Sequence, residues 1–324
     1  MAGSRNRLPD PAARVGAFVA ARLAGSGPVW LALSGGRDSV VLLHLLAGEL
    51  VPGRLRAIHV DHGLSPNAGA WADFCRSTCA ALAVPLQVVP VHVERSSAQG
   101  LEAAARAARY AAFAAHLPPA ADLLLAQHRG DQAETLLFNL LRGSGLAGAA
   151  AMREVRTQAG LRLLRPLLDV PRAAIDAYAA AHGLTWIDDE SNDDRRFSRN
   201  FLRHEVLTVI AARFPGVEAN LAQAAGHFGE AVDLLDEVAA SDWAAVRVGD
   251  AAALDGLRRL SFARLKNLLR WRLRQLGWQP PVAARLDEFA RQLLVAAPDR
   301  HPELRLPAGR MRLTRGRLHW LLSE

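Results

Sequence analysis

Val29-Trp-Leu-Ala-Leu-Ser-Gly-Gly-Arg-Asp-Ser39 runs from a short apolar stretch through a glycine pair into a second apolar stretch. The run 29–33 reads as a buried strand and 39–47 as a helix, so the motif Ser34-Gly35-Gly36-Arg37-Asp38-Ser39 is the loop between them. Two glycines let the backbone turn tightly and bring its N–H groups close to an anion. The helix N-terminus adds the positive end of its dipole. Ser34 and Ser39 can donate hydroxyl hydrogen bonds to phosphate oxygens. Asp38 repels phosphate, so its role is to hold Mg²⁺ or to position the loop.

Outward from this loop the same grammar repeats. Apolar runs at 55–60, 86–91 and 122–126 read as further buried strands, with helices at about 67–83, 101–116 and 131–141. Such alternation predicts a doubly wound, mostly parallel α/β sheet, whose ligands bind at the carboxyl ends of the strands. Asp61-His62-Gly63 follows the second strand and Gln127-His128-Arg129-Gly130-Asp131 the fourth. A strand at 161–164, a helix at 171–182 and a strand at 184–187 come next. An acidic loop, 188–194, then opens into a helix at 198–214. Pro215-Gly216 marks the expected boundary between a catalytic domain, 1–215, and a smaller, mainly helical domain, 216–324. The second domain should contain helices at 217–240, 261–276 and 282–295, then a strand meander at 303–306, 310–313 and 317–322.

With 324 residues, 51% hydrophobic and 22% charged, the chain has the length of about two domains and enough apolar surface for real cores. Its net charge is +7, and Lys266 is its only lysine, which excludes any phosphate loop that depends on a lysine. Residues 258–324 carry a net +10 and residues 218–257 a net −7, leaving +4 for 1–217. A basic C-terminal block points to a polyanionic partner. Cys75 and Cys79, four apart in a helical pattern, make no disulfide framework and read as core thiols of a reduced cytosolic protein. The N-terminal stretch lacks a signal-peptide core and no apolar run approaches ~18 residues. A soluble, cytoplasmic protein without a membrane partner is therefore expected.

The loop at 34–39 resembles the S-G-G-x-D-S motif of the PP-loop ATP pyrophosphatase superfamily. Further motifs follow in the order found in tRNA(Ile)-lysidine synthetases. They are His59-Val-Asp-His-Gly-Leu64, Arg106-x-x-Arg-Tyr110, His128-x-x-Asp-Gln-x-Glu-Thr135 and Leu141-Arg-Gly-Ser-Gly145. Arg165-Pro-Leu-Leu168, Asp188 through Asn192 and Arg199-Asn-x-x-Arg203 complete the set. The resemblance covers about 28–215 and is looser beyond.

It implies ATP and Mg²⁺ as cofactors, with isoleucine tRNA bearing a CAU anticodon and free L-lysine as substrates. The cytosine C2 oxygen is adenylated, the lysine ε-amine attacks C2, and AMP and diphosphate leave. On this reading Ser34, Gly35, Gly36, Arg37, Asp38 and Ser39 bind ATP, while Asp38 and Asp131 are catalytic and share the metal. Asp61, His62, His128, Arg199 and Arg203 are expected to contact lysine or tRNA, Arg199 and Arg203 from one helix face. His59 and His62, three apart at a strand end, face opposite sides and do not suit a shared zinc.

The family commonly has His-His-x-Asp-Asp-Gln where this chain has Gln127-His128-Arg129-Gly130-Asp131-Gln132, so one carboxylate is missing at Gly130. Two alternatives stay open: another PP-loop enzyme such as a tRNA thiolase, or an RNA-binding protein with impaired catalysis.

Overall fold

A computed structural model of the chain describes residues 8–93, 101–190, 194–196, 198–297 and 300–322. It divides into two compact units, Met1–Gly229 and Glu230–Glu324.

The first unit opens with helix α1 (Pro11–Arg22), started by Asp10, whose side chain accepts from the N–H of Ala12, and by Pro11 in the first turn. Strand β1 (Val29–Ala32), helix α2 (Arg37–Glu49), β2 (Leu55–Asp61), α3 (Ala68–Ala81), β3 (Leu86–Pro90), α4 (Leu101–His116) and β4 (Asp122–Leu124) follow. Then come α5 (Arg129–Leu141), the short α6 (Leu146–Ala149), β5 (Val155–Gln158), β6 (Leu161–Leu164) and α7 (Arg172–Ala181). Helices α8 (Ser198–Phe201) and α9 (Leu207–Arg213) are joined by a π turn, Leu202–Val206.

The strands form one sheet in the order β3-β2-β1-β4-β6-β5, parallel except for β5. Alternate residues of β1 feed opposite faces. Val29 and Leu31 join a core with residues of α1, α2, α3 and α7, while Trp30 joins a second core with Tyr110 and Phe113 of α4. Helices therefore cover both faces, as the strand–helix alternation predicts. The chain runs outward from β1 to β3 on one side and to β4 on the other, which makes the gap between β1 and β4 the topological switch point.

Helices α1 and α6 are additions to the sequence reading, and two further details depart from it. The run 184–187 joins no ladder; it lies extended, with Ile187 N–H donating to Gly35 O at 3.0 Å. The sheet gains β5 instead, an antiparallel edge strand that turns into β6 through Ala159 and Gly160, both at positive φ. Its V-R-T-Q sequence has neither a continuous apolar run nor a buried face to signal it.

Helix α10 (Val217–Val246) starts just after Pro215-Gly216, yet the units separate further along, inside it. The reason lies in its first turns. Leu221, Ala224, Ala225 and Phe228 pack with Leu136 of α5 and Ala149 of α6, which ties this part of the helix to the first unit.

In the second unit, β7 (Arg247–Val248), β8 (Ala251–Ala253), α11 (Leu254–Arg258), α12 (Phe262–Gln275) and α13 (Ala283–Val295) precede β9 (Glu303–Leu306), β10 (Gly309–Thr314) and β11 (Arg317–Leu322). The strands form a five-stranded antiparallel sheet, β7-β8-β11-β10-β9. Leu265, Leu268, Leu269 and Leu273 of α12 close a core against Phe289 of α13 and against Met311, Leu313 and Leu318 of the sheet. The three-strand meander is as expected; β7, two residues long, and β8, three alanines, are too short to show in sequence.

Candidate active site at the PP-loop

The loop after β1 folds on itself. Gly35 takes φ +86°, and a side chain there would meet Ile187 Cδ1 at 2.6 Å, so only glycine fits. Ser39 Oγ donates to Gly36 O at 2.8 Å and lies 3.1 Å from Ser34 Oγ, while Ser34 Oγ accepts from Gly36 N–H at 3.3 Å. Gly36 is the N-cap of α2 and no side chain caps it, which leaves the helix dipole available to an anion.

The loop is gripped from the segment after α7. Besides the Ile187–Gly35 bond, the Arg37 guanidinium lies 5.5 Å from the Trp186 ring and pairs with Asp176 at 2.8 Å. Arg37, read from sequence as an ATP contact, is thus engaged by α7 and by 186–187.

Across the switch point, the loop after β4 brings His128 to Asp38. His128 is 2% exposed, and its Nδ1 accepts from Gly130 N–H at 3.0 Å. That bond puts the neutral ring's proton on Nε2, which stands 3.7 Å from both Asp38 Oδ2 and Asp131 Oδ2. Asp131 Oδ2 accepts from His128 N–H at 2.9 Å and Oδ1 from Arg203 at 3.3 Å. Arg203 also forks onto Glu134 at 2.5 and 3.0 Å. Glu134 is 3% exposed, and burial raises its carboxyl above the usual range despite Arg203 pulling the other way.

Asp38, His128, Asp131, Arg203 and Glu134 form one connected set in which three carboxylates face one guanidinium. Such a set favours a cation. Asp38 Oδ1 is buried without a hydrogen-bond partner, the free donor atom a metal ligand requires. Both oxygens of Asp131 are engaged by protein donors, so Asp38 is the better ligand of the two. No group of three metal-ligating residues stands ready among the described residues. Mg²⁺ can be held by one or two carboxylates together with substrate phosphates and water.

The departures from the family pattern have structural reasons. A Cβ on Gly130 would sit 2.8 Å from His128 Cε1, so the ring in this position leans on the bare backbone of Gly130 and a side chain there would displace it. Gln127 Oε1 accepts from Arg165 Nε at 2.6 Å, and Arg165, 2% exposed, also donates to Arg153 O. This buried arginine pins the segment that carries His128.

Other expected residues lie apart. Asp61 Oδ1 accepts from Gly63 N–H at 2.8 Å, closing the turn after β2. His62 Nε2 accepts from Arg109 at 3.3 Å, and burial with that cation pushes His62 down to about 4. His59 is buried with Nδ1 on Leu33 O, so the two histidines share no ion. Arg199 does not join Arg203. The π turn intervenes, and Arg199 approaches Glu102 of α4 at 3.7 Å. Ser191 and Asn192 of the acidic motif lie outside the described residues. Sequence reasoning placed Glu134 in a family motif without a role, although it lies three residues from Asp131 on one helix, and missed Trp186 and Ile187.

Cys75 and Cys79 are free and buried, and burial pushes their thiols up to about 12 and about 11. Such thiols are poor sulfur carriers at neutral pH.

Strand order, glycine loop and helix N-terminus together define a PP-loop nucleotide-handling domain, and the PP-loop domain family matches residues 10–210. Residues 253–319 match the TilS substrate binding domain. The chain is 47% identical over 308 residues to a tRNA(Ile)-lysidine synthase of Alkalilimnicola ehrlichii, covering 94% of this chain and 69% of that one. It is 50% identical to the same enzyme of Aromatoleum aromaticum (90% and 68%) and 47% to that of Pseudomonas aeruginosa (91% and 69%). The chain belongs to the tRNA(Ile)-lysidine synthase family, ligases that form a carbon–nitrogen bond, and spans about two thirds of these relatives' length. Among solved structures it resembles the U34-tRNA thiolase NcsA of Methanococcus maripaludis, with TM-score 0.55 and 16% identity over 68% of this chain and 78% of that one. That likeness is one of fold. Family membership favours lysidine formation over the thiolase alternative. No helix among the described residues is long and apolar enough to cross a membrane.

Proposed function

We propose that the chain ligates lysine to C2 of the wobble cytidine in the CAU anticodon of isoleucine tRNA, at the cost of ATP cleaved to AMP and diphosphate. The observation that carries this reading is the meeting of the PP-loop with the His128–Asp131–Glu134–Arg203 set at the β1/β4 switch point.

In the first step the cytosine C2 oxygen attacks the α-phosphorus and diphosphate leaves. Backbone N–H groups at Gly35, Gly36 and the start of α2, with the Ser34 and Ser39 hydroxyls, hold the departing phosphates. Asp38, backed by Asp131, would hold Mg²⁺, which neutralises phosphate charge when bound. In the second step the lysine ε-amine attacks C2, loses a proton and expels AMP. The excess of carboxylates around Arg203 suits the substrate's remaining positive charge as well as a metal. Residues 1–215 would carry catalysis and 216–324 contacts to tRNA, in the cytoplasm where ATP and tRNA are found.

Incubation with ATP, Mg²⁺, labelled lysine and CAU-anticodon tRNA(Ile) tests the reading. Label transferred to RNA with stoichiometric AMP supports it; no transfer overturns it. Tight RNA binding without AMP release points to the impaired RNA-binding alternative.

A further inference from the structure

The positive charge of the second unit is not uniformly available. On α12, Arg264 is paired with Asp242, which is 2% exposed, and Arg274 with Asp236. Lys266 and Arg270 share Asp287 at 3.1 and 3.8 Å. Arg272 lies over the rings of Trp243 and Trp320 at 4.5 and 5.8 Å. The helix that looked most basic in sequence is therefore largely neutralised by its neighbours.

The sheet differs. Met311, Leu313 and Leu318 point into the core, so the alternate residues of β10 and β11 face outward. Register places Arg310 directly opposite Arg305 on one side and Leu321 on the other, Arg312 opposite His319 and Glu303, and Thr314 opposite Arg317. Among the described residues only Glu303 answers this row, pairing with Arg305 at 2.7 Å and Arg312 at 3.7 Å. Among the described residues Arg310, Arg315 and Arg317 show no ion pair.

Two features of this face work against folding. Arginines directly opposite on neighbouring strands repel. Arg315 occupies the two-residue turn between β10 and β11 at φ +49°, a conformation that suits asparagine or glycine better than arginine. The fold draws no benefit from either; a polyanion laid over the face would neutralise both.

We propose that the outer face of β9, β10 and β11, carrying Arg305, Arg310, Arg312, Arg315 and Arg317, binds the phosphodiester backbone of the RNA substrate. The choice of RNA rests on the proposed function. The geometry supplies the rest: five planar, five-donor guanidinium groups share a single carboxylate, Glu303, and suit phosphates two oxygens at a time. Contacts to phosphates position an RNA without reading its sequence.

The test uses the full chain and an unmodified tRNA(Ile) transcript, with affinity measured across a salt series. Each phosphate contact contributes about 0.7 to 0.9 to the slope of log affinity against log salt. The double variant R310Q/R317Q should flatten the slope by roughly 1.4 to 1.8, weaken binding about tenfold or more at low salt and raise the KM for RNA. R310K/R317K should restore most of the slope. Arg315→Gly should raise the melting temperature by relieving the turn and still flatten the slope by about 0.8, a combination no purely structural role produces. An unchanged slope and affinity in R310Q/R317Q and Arg315→Gly would overturn the proposal. If the wild-type chain forms no lysidine but the slopes respond, the surface stands and the catalytic reading falls. If lysidine forms and the slopes do not respond, the surface falls alone.

Discussion

A side chain at Gly130 would collide with the His128 ring, because a Cβ there stands 2.8 Å from Cε1 and 3.2 Å from Nδ1. The ring, folded back over Gly130, stands 3.7 Å from two carboxylates, Asp38 and Asp131. Gly130→Asp, although it restores the common family residue, should lower kcat by about tenfold or more, since His128 must swing away. Activity equal to wild type in that variant would show that the ring position is immaterial. Asp38→Asn should abolish AMP release and leave tRNA affinity within about twofold, because the lost group faces phosphate and metal rather than RNA. His62 gives a pH signature. Its folded value of about 4 lies below the ordinary histidine range, so the unfolded chain takes up more protons between about pH 6.5 and 4. Stability contributed by neutral His62 is present above pH 6.5 and is lost as pH falls, by an amount on the order of 2 kcal/mol. Melting curves at pH 7.5 and 4.5 should show a smaller acid loss for His62→Gln than for wild type. At this scale Ser34 through Ser39 and Asp131 were legible from local sequence. The Arg203–Glu134 fork was not, because its partners are 69 residues apart in the chain.

The run Leu184-Thr-Trp-Ile187 illustrates what an element requires besides propensity. Its composition suits a strand, but β6 already has β4 on one side and β5 on the other, so no parallel edge remains beside it. The run becomes a clasp on the PP-loop instead, with Ile187 filling the space that glycine leaves open at Gly35 and Trp186 holding Arg37. Ile187→Ala should cost about 1 to 2 kcal/mol of stability, below the scale for a fully buried large-to-small change because Ile187 is half-buried. It should also raise the KM for ATP several-fold, because the loop loses the contact that holds its turn. Equilibrium unfolding and ATP titration of the same variant check both halves. Most of the longer helices were readable within a few residues, since their 3.6-residue periodicity survives any tertiary arrangement, whereas α1 and the short α6 and α11 were not.

Across the whole chain, charge counts mislead until partners are known. The excess at 258–324 is real, but acids from the preceding stretch, Asp236 and Asp242, neutralise part of α12. Arg264→Ala should lower the melting temperature by leaving the buried Asp242 carboxylate unpaired, while the salt slope for RNA stays as in wild type. A flattened slope in that variant would show that the helix also meets RNA.

The amino-acid sequence alone determined the doubly wound first unit, the anion loop between β1 and α2 and the concentration of positive charge toward the C-terminal end. Each is written in neighbouring residues: periodicity, glycines beside a strand, local composition. Tertiary structure decided which cations are free, what the His128 ring rests on at Gly130 and what the 184–187 run does. Those answers depend on contacts between distant residues, and on which strand edges and which carboxylates are already taken.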